Sequence, residues 1–141
     1  MKTILCLLLL APIALFAQSD SIPFKKCNTI TVEFNGSADS VFRAVGANLL
    51  DHGYLIEKKD SELFTILTEE KRASGIMAWY KVAVRIVGNK AIFTGLLRLQ
   101  GFEGWDKVRY QGSGKSAFMQ SWAAMEGLSA SVNGSKIYTI Q

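Results

Sequence analysis

Residues 77–100 read MAWYKVAVRIVGNKAIFTGLLRLQ, two apolar runs folded about Gly88-Asn89. Two-residue hairpin loops favour primed turns, and Gly and Asn tolerate the positive φ such turns need. With Gly88 and Asn89 as the loop, Val87 faces Lys90 and the register follows from there. Tyr80, Val82, Val84 and Ile86 fall opposite Leu97, Gly95, Phe93 and Ala91. Every one of these is apolar or glycine, so this side of the hairpin is a core face. A slip by one residue would set that row against Thr94 and Arg98, so the register is well specified. Gly95, opposite Val82, marks a place for a helix to approach the sheet closely. The other face sets Trp79, Lys81, Ala83, Arg85 and Val87 against Arg98, Leu96, Thr94, Ile92 and Lys90. Trp79 beside Arg98 suits a cation–π pair worth about 0.5–1 kcal/mol. Leu96 and Ile92 are more apolar than a fully solvated face requires. They read either as ordinary scattered surface hydrophobes or as a partly covered, partner-binding face.

Upstream, Asn28 to Phe34 alternates, with Ile30, Val32 and Phe34 on one side and Thr29, Thr31 and Glu33 on the other. This is a half-buried strand rich in β-branched residues. After Asn35-Gly36, Ser37 is a plausible N-cap with Asp39 in the first turn. Val41, Phe42, Val45, Leu49 and Leu50 recur at helical spacing, and Gly53 suits the C′ position, so the helix ends near His52. Gly46 within it costs about 1 kcal/mol of helix propensity unless close approach offsets that. Tyr54 to Lys59 and Leu63 to Glu69 read as a second hairpin about Asp60-Ser61-Glu62, with Ile56 opposite Ile66. Downstream, Val108 and Tyr110 suggest a short edge strand. Ser116 to Val132 reads as a second helix, with Phe118, Trp122, Met125, Leu128 and Val132 as its apolar stripe. Ala123, Gly127 and Ala130 form a second strip of small residues, which suggests contact on two sides. Ser135 to Ile140 returns as a last strand. Strand, helix, four or five strands, helix, strand implies an α+β fold, β-α-β-β-β-β-α-β. It has a mostly antiparallel sheet of about six strands, with both helices on one face.

The chain has 141 residues, enough for one domain with a real core. Met1-Lys2-Thr3 followed by the apolar run Ile4 to Phe16 and the small residues after it has the pattern of a secretory signal peptide. The division is a signal peptide over 1–17, a flexible leader over 18–27 and a single domain over 28–141. Cys6 lies inside the apolar run, too early for a lipidated cysteine. The expectation is a periplasmic or secreted protein with no membrane span in the mature chain. Without Lys2 the balance is 15 basic against 12 acidic residues, a net +3. So mild an excess, scattered along the chain, points away from nucleic acid. Cys27 alone remains, so no intramolecular disulfide forms and the fold rests on its hydrophobic core.

The helix ending in Asp51-His52-Gly53-Tyr54-Leu55-Ile56-Glu57, followed by Asp60 and Ile66-Leu67-Thr68, resembles small envelope domains of helix-grip or TBP-like fold. The C-terminal domains of BamC-type outer-membrane assembly lipoproteins are one such group. Secreted domains of unknown function from Bacteroides-like bacteria are another. The resemblance implies the fold and the compartment and carries over no catalytic residue. The lack of a lipidated cysteine departs from the BamC type.

Gly112-Ser113-Gly114-Lys115-Ser116 before a helix has the look of a phosphate loop, but that motif needs glycine where Arg109 stands and a parallel sheet behind it. A helix cap at Ser113 or Ser116 accounts for it better, with Lys115 available to an anion at the helix start. The single histidine, His52, reads as a helix-end residue, and one His with one mature Cys is too few for a His/Cys metal site. No cofactor and no enzymatic arrangement is expected. The best candidates for binding are Phe102 and Trp105, held between glycines, with Tyr110, Trp79, Arg98 and Lys115. Phe102 and Trp105 either fold back to seal the core, which aromatic burial favours, or form a contact surface. The expected function is a non-catalytic module for an unidentified envelope protein or for self-association. The alternative is a carrier holding a small apolar or amphipathic molecule between the sheet and Phe118-Trp122-Met125. A cavity of about 300 Å3 or more there would favour the carrier; a filled core with an exposed apolar patch would favour the adaptor.

Overall fold

The computed structural model describes residues 19–141; the segment read as a signal peptide lies outside them. In chain order the elements are β1 (Ser19–Asp20), β2 (Thr29–Phe34), α1 (Ala38–Asp51), β3 (Ile56–Asp60), β4 (Thr65–Thr68) and β5 (Lys71–Arg72). They continue with β6 (Ala78–Val87), β7 (Lys90–Leu99), β8 (Asp106–Lys107), α2 (Ala117–Ser129) and β9 (Gly134–Thr139). The strands form one sheet in the order β1-β9-β2-β7-β6-β4-β3, with β5 beside β6 and β8 beside β7. Every pair is antiparallel. The class is α+β. Nine strands stand where about six were expected, because β1, β5 and β8 are two-residue pieces.

The hairpin pairs Val87 with Lys90 and runs to Ala78 with Leu99 in the expected register. Gly88 takes the positive φ, +58°, at the first loop position, as a II′ loop requires. Val82, Val84, Phe93 and Leu97 are buried on one face with Ile30, Val32, Ile66 and Tyr138, and both helices cover that face. α1 is capped by Ser37, whose side chain accepts the Ser40 N–H at 3.2 Å, and is followed by Gly53 at φ +70°. A Cβ at Gly46, which faces β3 and β4, would lie 3.1 Å from Lys59 Nζ and 3.8 Å from Ile66 Cδ1. Leu50, expected on the buried stripe, is exposed instead.

Several expectations are corrected. The β3–β4 loop has four residues, Ser61 to Phe64, so Ile56 pairs with Thr68 and Ile66 pairs with Lys59. The Asp60 carboxylate accepts the N–H groups of Glu62 and Leu63 at 3.0 and 2.9 Å. Phe64 adopts φ +48° and sets its ring edge-on to Phe42 at 5.5 Å. Gly95 makes room chiefly for Val108, whose side chain would stand 2.8 Å from a Cβ there, with Met125 of α2 at 3.5 Å. The segment read as a leader is attached: β1 pairs with β9, Phe24 packs on the core and Cys27 is fully buried. The strip of Ala123, Gly127 and Ala130 on α2 faces outward, exposed.

Candidate functional site

The face of the sheet away from the helices is partly open over β4, β6 and β7, while Thr29 and Thr31 of β2 are buried, and its side chains fall into rows set by the register. Nearest the open end of the hairpin, Trp79 stands beside Arg98, and the next row holds Lys81, Leu96 and Lys107. Then come Lys58, Leu67, Ala83, Thr94 and Thr29, followed by Thr65, Arg85, Ile92 and Thr31.

Trp105 joins this face because of strand parity. β8 pairs Lys107 with Leu96 and Asp106 with Leu97, so Trp105 falls over Arg98 on the open side while Val108 turns into the core. The Arg98 guanidinium lies 5.5 Å from the Trp79 ring and 5.1 Å from the Trp105 ring, and Lys81 Nζ is 5.2 Å from Trp105. Glu70 accepts from Arg98 at 2.8 Å, and Glu57 pairs with Lys81. The stack is therefore charge-balanced and held in place. The reading of Phe102 and Trp105 as a seal over the core is overturned. Trp105 covers part of the outer face, and Phe102 is 69% exposed.

Phe102 has exposed apolar neighbours. Its N–H donates to the Leu99 carbonyl at 3.1 Å, and the Gln100 N–H donates to the Met77 carbonyl at 2.8 Å. Met77 is 60% and Leu99 39% exposed. Three large apolar side chains are thus exposed at the end of the hairpin that bears the Trp79–Arg98–Trp105 stack, with Leu99, opposite Ala78, falling by strand parity on the other side of the sheet from the stack. Sequence reasoning did not single out Met77 or Leu99. The signal available was their place at the ends of the paired strands, where alternation stops dictating burial.

The remaining candidates lie elsewhere. The Tyr110 ring packs 5.5 Å from that of Trp122, and its backbone pairs with Lys26 and Cys27, which makes it part of the structural shell. Lys115 is exposed in the loop before α2. Ser116 caps that helix, accepting the Met119 N–H at 3.3 Å, and the strands behind it are antiparallel, not the parallel sheet a phosphate loop requires. His52 is exposed at the end of α1, one ring nitrogen 2.9 Å from the Asn48 carbonyl.

Between the sheet and α2, Trp122 and Met125 are buried with Val108 and Tyr138. Burial raises the Tyr138 phenol above its ordinary pKa, reinforced by its 2.8 Å hydrogen bond to Glu126. Burial likewise raises Tyr54, whose hydroxyl lies 3.2 Å from that of Tyr80, and the Cys27 thiol. Both phenols stay neutral and the thiol is not poised for reaction. Among the described residues no helix is long and apolar enough to cross a membrane. No family model matches the chain, and no curated protein matches its sequence.

Proposed function

We propose that the mature chain is an exported, non-catalytic adaptor that docks another envelope protein on the open end of its central hairpin. The observation that carries this is the exposure of Met77, Leu99 and Phe102 at the end of the hairpin that also bears the Trp79–Arg98–Trp105 stack. Trp and Arg dominate the energetics of protein interfaces, and Met adapts its shape to a partner. Trp122 and Met125, which a carrier would present to its ligand, are buried, Trp122 against the rings of Tyr110 and Tyr138, and this favours the adaptor. The β3 edge is a poor route to strand addition. It carries Glu57-Lys58-Lys59 and a register shift between Ile56 and Lys58, features that blunt edge pairing.

Native mass spectrometry of protein taken from the periplasm tests the reading. The expected chain starts near Gln18, carries no acyl group and holds a stoichiometric protein partner. Met77→Ser/Phe102→Ser should keep the melting behaviour of the parent, since exposed substitutions shift stability by about 0.5 kcal/mol or less, and should lose that partner. A lipidated chain, or a partner retained by the double variant, would sink the proposal.

A further inference from the structure

Between the stack and the Gly88–Asn89 turn, the outer face dips into a groove of about 350 Å3. Its floor is Leu67, Ala83, Ile92 and Thr94, drawn from β4, β6 and β7. The depression exists because short Ala83 and Thr94 are paired at its centre, while Leu67 and Ile92 rise beside them. The volume is at the small end of the roughly 300–1,000 Å3 typical of small-molecule clefts.

Charge decides what suits it. Of the other cations of this face, Lys81 is matched with Glu57, Arg98 with Glu70 and Lys90 with Glu33, while Arg72 beside Trp79 and Lys107 beside Leu96, which lie outside the groove's lining, have no carboxylate partner among the described residues. Lys58 and Arg85 line the groove, are exposed, and have no ion-pair partner among the described residues. An apolar trough with two open cations fits a molecule with an alkyl body and an anionic head. Guanidinium matches carboxylate in a two-point hydrogen bond. We propose that this groove binds a single-chain lipid carboxylate, its alkyl chain along Leu67, Ala83 and Ile92 and its head on Arg85 and Lys58. Trp79 and Trp105 stand outside the lining, so this site is separate from the docking cluster.

The test titrates dodecanoate, below its micelle concentration, into the purified mature chain and follows backbone amides by NMR. Saturable shifts are expected at Leu67, Ala83 and Ile92. Ala83→Leu fills the trough, and Lys58→Gln/Arg85→Gln removes the two cations; each should weaken dodecanoate by about tenfold or more, a difference of about 1.4 kcal/mol. Neutral dodecyl maltoside should bind the parent more weakly than dodecanoate and be indifferent to the charge variant. Because Lys58 and Arg85 are exposed, the charge variant folds even if Ala83→Leu does not. Met77→Ser/Phe102→Ser should leave dodecanoate binding intact, which separates this site from the adaptor surface. Absence of saturable shifts, equal affinity for the neutral detergent, or an unchanged affinity in the charge variant would overturn the assignment.

Discussion

Thr68 is the last residue of β4, ahead of the break before β5, and its hydroxyl accepts the Val82 N–H at 2.9 Å. β6 pairs with β4 at Ala83 to Arg85 and with β5 at Trp79 and Tyr80, which leaves Val82 facing the break. Both groups are fully buried. Thr68→Val keeps the shape and strands the N–H, which should cost about 1–3 kcal/mol. Urea denaturation checks it, and an unchanged midpoint would show that Val82 finds another acceptor. Nothing in the Ile66-Leu67-Thr68 run announced this role, because the broken edge is a property of three strands together. Gly46 is the contrasting case. Its helical position asked for a close approach as compensation, and the tightest neighbour a Cβ there would meet is the mobile end of the Lys59 side chain, at 3.1 Å.

The β6–β7 hairpin was legible throughout, since alternation and the loop point to the same register. Val84 lies buried opposite Phe93, and Arg85 beside it is exposed. Val84→Asp should prevent folding, an unpaired buried charge costing several kcal/mol against a total stability of about 5–15. Arg85→Asp should fold normally. Circular dichroism melts of the two distinguish them, and equal melting would refute the assigned faces. The β3–β4 hairpin was less legible. Its loop length depends on the Asp60 carboxylate capturing two N–H groups and on Phe64 reaching Phe42, a contact across the fold.

Stability of the entire domain should be pH-dependent on the alkaline side. The folded chain holds the Tyr54 and Tyr138 protons above the ordinary phenol range, whereas an unfolded tyrosine ionises near about 10. The unfolded state therefore binds fewer protons above about pH 10, and stability complete below that value falls as pH rises. Melting temperatures should be level to about pH 9 and decline beyond 10, less steeply in Tyr54→Phe/Tyr138→Phe. Equal slopes in parent and variant would assign the decline to other groups. The sequence by itself determined the α+β class, the central register, the Ser37 cap and the core face, and left the second cap between Ser113 and Ser116, of which the structure uses Ser116. Each follows from periods and caps that act within a few residues. Only the tertiary structure decided where the glycine-flanked aromatics go, because the Gly101–Gly104 loop has no period and its direction is set by β8 pairing with β7. It also assembled the Leu67–Ala83–Thr94 trough from three strands. Such surfaces arise from side chains far apart in the chain, and strand order, which is a global outcome of burial, chooses which of them meet.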